Sequence, residues 1–207
     1  MATPTADTLV IMLHGVGSSG RDLAPLASAW KAALPGAIFV SPNAPNPSSF
    51  GGGYQWFSIA GVTETNRSER IADARPSFDA VVSAIITENG FGEKLDRVAF
   101  VGFSQGTIMA LDAVASGRWP VGALVGFSGR LASPLPLQPA RQTPILLIHG
   151  SADQVISATE SDKAAETLKA LGVAVETVIL TGVPHTISAE GAEKAGAFLA
   201  KTLPAIS

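Results

Sequence analysis

The chain of 207 residues contains no cysteine. That excludes disulfide staples, thiolate metal sites and a cysteine nucleophile together, and it fits a reducing compartment. Charge is scarce: Asp, Glu, Lys and Arg make up 15% of the residues, and the formal net charge is −3. No run of Lys or Arg occurs, so bulk electrostatic binding to nucleic acid or an anionic membrane has no basis. No apolar run reaches the roughly 20 residues of a membrane span. The stretch after Ser104 is interrupted by Thr107 and Asp112. Met1 to Asp7 lacks the charged and apolar regions of a signal peptide, so a cytoplasmic location is expected. Histidine is rare as well: His14, His149 and His185 are the only three, without metal-ligand spacing.

What is plentiful is apolar, at 46% of the chain, enough for a sizeable core. Short β-rich runs alternate with helix-period segments. The expected strands are Leu9 to Leu13, Ala37 to Val40, Val98 to Val101, Ala123 to Val125, Ile145 to Ile148 and Val173 to Leu180. Helical spacing links Leu23, Leu26, Ala27, Trp30 and Leu34, and again Phe78, Val81, Val82, Ile85 and Ile86, with Pro76 near that helix's start. Further helices are expected over Gln105 to Ala115, Ala158 to Leu171 and Glu190 to Leu203. Continuous apolar strands between helices indicate an α/β fold, a mostly parallel central sheet covered on both faces. No repeat or linker divides residues 1–207, which are expected to form one domain. Ser41 to about Thr65 is a long loop rich in Gly, Pro, Ser and Asn.

Gly102-Phe103-Ser104-Gln105-Gly106 matches G-x-S-x-G. The pentapeptide is weak alone, since an ordinary turn with a capping Ser also fits it. Its setting adds weight, because it follows a buried strand directly and precedes a helix. Such a turn crowds the backbone around the Ser, and glycine two residues to either side relieves the clash. A serine hydroxyl needs a base, and the base needs a carboxylate. Only His185 lies late enough in the chain to follow both nucleophile and acid, in the turn-rich segment after the last strand. The acid should stand at a strand end between them, where Asp153 follows Ile145 to Ile148. Asp112, Asp162 and Glu166 fall inside helices and Glu176 inside a strand, while Glu160 suits a helix start.

Gly15-Val16-Gly17-Ser18-Ser19-Gly20 satisfies G-x-G-x-x-G after a strand, the pattern of a dinucleotide site. That site also needs an acid at the end of the second strand, and no Asp, Glu or Arg occurs from Leu23 to Val62. The loop suits an oxyanion hole instead, its Val16 N–H acting with that of Gln105. His14 and His149 each precede a glycine at a strand end and are expected to brace loop backbones. Phe50, Tyr54, Trp56 and Phe57 in the long loop suit either an acyl-binding wall or local packing.

In the order and spacing of these segments the chain resembles the phospholipase/carboxylesterase family of α/β-hydrolases. The likeness rests on Leu13-His14-Gly15-Val16-Gly17, Gly102 to Gly106, Ile148-His149-Gly150 with Asp153 and Val155, His185-Thr186-Ile187-Ser188, and Trp56-Phe57. It implies a compact hydrolase without a large cap, and a Ser104–Asp153–His185 triad with oxyanion donors at Val16 and Gln105. It also implies hydrolysis of carboxylic esters or thioesters without a cofactor. Trp56, Phe57 and Tyr54 are the candidates for substrate contact. The chain departs from the family at Ser18, Thr107 and Ser58, where Asp, Gly and Asp are common; these positions bear on the substrate. The rival readings are a peptidase or lysophospholipase on the same fold, and a non-catalytic scaffold, which predicts a damaged triad. The expected partner is a small ester or thioester, and nothing separates a monomer from a homodimer.

Overall fold

The computed structural model describes residues 7–49 and 51–203, so Phe50 and most of the Met1 to Asp7 segment lie outside the described residues. Strand β1 (Thr8–Leu13) is buried on both faces. Its side chains alternate, with Leu9, Ile11 and Leu13 entering one core and Val10 and Met12 the other. Five more strands join it in parallel: β2 (Ala37–Val40), β5 (Val98–Phe103), β6 (Ala123–Phe127), β7 (Ile145–Gly150) and β8 (Val175–Leu180). The spatial order is β2-β1-β5-β6-β7-β8, and every pairing is parallel. All six strands therefore end on one edge of the sheet, where α/β folds bind ligands.

Helices α1 (Ala24–Trp30) and α5 (Ala189–Thr202) cover one face, contributing Leu26, Trp30, Phe198 and Leu199 to its core. Helices α2 (Arg67–Glu88), α3 (Gln105–Ala115) and α4 (Thr159–Ala170) cover the other. α2 departs from expectation. Pro76 lies inside it, and the helix starts at Arg67. Proline within a helix costs about 3 kcal/mol or more. Contacts on its N-terminal side offset that cost: Ile71 and Ala74 are buried, and Arg75 donates to Asp112 Oδ2 at 2.9 Å and Oδ1 at 2.8 Å. Arg118 donates to Asp112 as well, at 2.9 Å. Burial would raise the Asp112 carboxyl, but these donors hold it below its ordinary value.

The long loop also departs from expectation. It contains a small antiparallel hairpin, β3 (Asn46–Pro47) with β4 (Tyr54–Gln55), too short to leave a periodic signal. The hairpin docks on the loop after β1, where Gly17 N–H donates to Tyr54 O at 2.9 Å and Tyr54 N–H to Ser18 O at 2.8 Å. Among the described residues no helix is long and apolar enough to cross a membrane.

Candidate active site

β5 runs through Phe103, and Ser104 forms the turn into α3 with φ 52° and ψ −113°. This positive φ is strained for a serine. The surroundings impose it: Ser104 N–H donates to Phe127 O on β6 at 2.9 Å, and α3 begins on the next residue. Both flanking glycines are needed for close approach. A Cβ on Gly102 would collide with the Thr107 backbone, and one on Gly106 with the Leu13 carbonyl.

Three side chains from separate strand ends meet here. His185 Nε2 lies 3.0 Å from Ser104 Oγ, and His185 Nδ1 lies 2.7 Å from Asp153 Oδ2. The Asp153 carboxyl group is fully buried, while His185 retains 18% side-chain exposure. Asp153 Oδ1 accepts the N–H groups of Val155 and Ile156, each at 2.9 Å. Burial would raise this carboxyl, but the Ile156 N–H, the His185 imidazole and the Val155 N–H outweigh it and hold the group ionised below its usual value. The loop carrying His185 crosses above Gly150, where any Cβ would strike the Val183 carbonyl. Phe103 packs on the imidazole, with ring centroids 5.0 Å apart.

The glycine loop supplies the second half of the site. Gly17 N–H is taken by Tyr54 O, and Ser18 N–H points back to Gly15 O at 3.3 Å. Among the described residues the Val16 and Gln105 N–H groups have no protein acceptor. His14 explains the orientation of Val16. Its Nε2 accepts Ala44 N–H at 2.9 Å, so Nδ1 carries the proton and donates to Gly15 O at 2.7 Å. In a trans peptide the N–H points opposite to the C=O, so this bond turns Val16 N–H away from His14. Burial holds the His14 imidazole below its usual pKa, with the Gly15 carbonyl only partly opposing it.

Trp56 and Phe57 are turned into the core rather than toward solvent. The Trp56 indole donates to His14 O at 2.9 Å and stands edge-on to Phe78 at 5.3 Å. An indole N–H needs an acceptor when buried, and that carbonyl provides one. Tyr54 is the exposed member, its ring 6.4 Å from His14. Apolar lining is found instead in a groove of about 470 Å³ that reaches Gly15 and Phe103 beside Ser104. Leu23, Leu26 and Ala29 form one wall and Ile187 and Ala192 the other, with Ser18 and Asp22 among its polar residues. Asp22 accepts from Ser18 Oγ at 2.6 Å and Ser19 N–H at 2.9 Å, which hold its carboxyl below the usual range.

Two contributors left no clear sequence signal. The Gln105 side chain accepts Trp56 N–H at 2.8 Å and donates to Phe57 O at 2.7 Å, clamping the long loop to α3. Thr107 donates to Phe127 O at 2.8 Å, and its methyl fills the space beside Gly126 and Gly129. Their adjacency to the elbow was the one available hint.

Known proteins resemble this chain over nearly its full length. The sequence model described as Phospholipase/Carboxylesterase matches residues 2–203. The chain belongs to that family. Among phospholipase/carboxylesterase relatives, Esterase YpfH of Escherichia coli is 33% identical over 199 residues, covering 96% of this chain and 84% of its own. Acyl-protein thioesterase 1 of Gibberella zeae is 29% identical over 212 residues, covering 94% of this chain and 90% of its own. The crystal structure of esterase PE8 superposes with a TM-score of 0.88 at 36% identity, covering 96% of this chain and 94% of that one. The fold is that of the α/β-hydrolases, and membership makes the chain a hydrolase of the carboxylesterase class.

Proposed function

We propose that this phospholipase/carboxylesterase family member hydrolyses carboxylic esters of small to medium acyl chain through an acyl-enzyme on Ser104. His185 Nε2 takes the Ser104 proton as Oγ attacks the acyl carbonyl. Asp153 orients the imidazole and stabilises its charged form. The Val16 and Gln105 N–H groups stabilise the oxyanion, each donor being worth ~10²–10³ in rate in comparable sites. Collapse of the tetrahedral intermediate breaks the bond to the alcohol or thiol, which leaves with the proton from His185. Water, deprotonated by the same imidazole, then releases the acid and restores Ser104. The groove between α1 and α5 takes the apolar part of the ester, and Trp56 and Phe57 act on it through the Gln105 clamp. Relatives named esterase and acyl-protein thioesterase support both an alcohol and a thiol as leaving group.

The observation that carries this reading is the unbroken hydrogen-bonded chain from Ser104 through His185 to Asp153. A fluorophosphonate should add one covalent adduct, mapped to Ser104 by mass spectrometry. Ser104→Ala should escape labelling and lose roughly 10⁴–10⁶ in kcat/KM on a panel of esters and thioesters. An unlabelled but folded wild-type protein would overturn the proposal and favour a non-catalytic scaffold.

A further inference from the structure

The catalytic machinery proposed above uses one imidazole, yet two imidazoles face the same carboxylate oxygen. His149 is the penultimate residue of β7 with its side chain fully buried, and its Nε2 lies 3.2 Å from Asp153 Oδ2, the oxygen that also meets His185. The same Nε2 lies 2.8 Å from the Ile156 carbonyl. Its Nδ1 lies 2.8 Å from the Ser161 hydroxyl, itself buried in the first turn of α4.

The partners fix the tautomer. The Ile156 carbonyl only accepts, so the ring proton sits on Nε2 and is donated to it, with the Asp153 carboxylate oxygen 3.2 Å away. Nδ1 is then a lone pair, and Ser161 donates to it. The ring is neutral in this arrangement, with every polar atom satisfied. It braces the acid's loop, since Ile156, the residue whose C=O it holds, is also the one whose N–H reaches Asp153 Oδ1 at 2.9 Å. From α4 the nearby charge is Glu160, which is paired with Lys163 at 2.8 Å and Arg130 at 3.7 Å. The titratable groups facing one another at this point are therefore Asp153, His185 and His149.

We infer that His149 is a positioning residue for the hydrolysis: it holds the Asp153 loop through the Ile156 carbonyl and sets its Nε2–H beside Oδ2, which limits how strongly that oxygen retains the proton-bearing form of His185. This rests on the triad proposed above. A serine hydrolase turns over best when its base is charged only in transit. Three hydrogen bonds meet Asp153, from Val155, Ile156 and His185, and the His149 Nε2–H stands 3.2 Å from Oδ2 beside them. Removing that N–H dipole leaves more negative charge on the oxygen facing His185, which favours the imidazolium.

The test is the pH profile of kcat/KM for the wild type, His149→Leu and His149→Gln. In His149→Leu the acid limb should move up by about half to one pH unit, with kcat at pH 7 down roughly tenfold and KM within about twofold. His149→Gln should restore most of both, because its amide N–H donates where Nε2 did and its amide oxygen accepts from Ser161. A general packing defect would lower activity without moving the limb. A wild-type measurement covers the event that His149→Leu does not fold: long-range ¹H–¹⁵N NMR should find His149 protonated on Nε2 alone at pH 7. An unmoved acid limb in His149→Leu, or a ring protonated on Nδ1, overturns the inference while leaving Ser104 labelling untouched. Loss of Ser104 labelling in the wild type would overturn the triad itself.

Discussion

A His-Gly pair stands at the carboxyl end of two strands, His14-Gly15 just after β1 and His149-Gly150 closing β7, and the two ends serve the site in opposite ways. Both histidines are buried, and both spend their ring nitrogens on their surroundings. At the β1 end His14 is protonated on Nδ1 because Ala44 N–H occupies Nε2. It acts on a peptide plane and thereby aims a backbone donor. At the β7 end His149 faces two acceptors with Nε2, so the proton sits there, and it acts on a side-chain carboxylate. The glycines differ as well. A Cβ on Gly15 would meet the Phe103 ring at 3.2 Å and Ser104 Cβ at 3.3 Å, tight contacts that small shifts relieve. A Cβ on Gly150 would strike the Val183 and Pro184 carbonyls, which belong to the loop presenting His185. The same dipeptide is thus a tuning device at one strand end and a clearance at the other.

Three experiments can break or sharpen this contrast. The largest effect is expected from Gly150→Ala. It should cost about 3 kcal/mol and lower Tm by roughly 6–12 °C, because backbone has to move. Gly15→Ala should cost no more than about 1 kcal/mol while still reducing activity through Ser104; equal losses of Tm would erase the distinction. Next is His14→Leu, which frees the Gly15–Val16 peptide and should lower kcat about 10²-fold with KM nearly constant. A change confined to KM would mean that the ring shapes only the groove.

The smallest difference concerns acid. Asp22 at the β1 end and Asp153 at the β7 end both have carboxyls held below their ordinary values. Each therefore adds stability that is complete above about pH 4 and is lost as pH falls through the lowered value. Asp153→Asn should be less stable at pH 7 and lose less on acidification. Asp22→Asn should barely change the acid unfolding curve, since Asp22 is exposed and solvent screens it. Acid unfolding followed by circular dichroism distinguishes the two.

The legible parts of the sequence were those with a period or a crowded backbone. The six apolar strands announce a parallel sheet, since strands buried on both faces cannot alternate. Gly102 and Gly106 mark the elbow because no other residue clears Thr107 and Leu13. Chain order brings Ser104, Asp153 and His185 forward as candidates, as each follows a strand on the same edge. Less legible were features that depend on distant partners. Pro76 is tolerated through contacts such as Arg75 with Asp112, and such pairing leaves no local trace. The inward turn of Trp56 depends on an acceptor at His14 O, 42 positions away. Aromatics in a polar loop read equally well as a substrate wall until that acceptor is known.

The Thr107 methyl fills the room left by Gly126 and Gly129. The volume under α3 is therefore specified jointly by three positions on two separate segments. Each position taken alone is a poor subject for exchange with a relative: importing a glycine at 107 opens a void, and importing a larger residue at 126 or 129 forces the helix off the sheet. Any exchange in this region has to move the trio as one inherited unit.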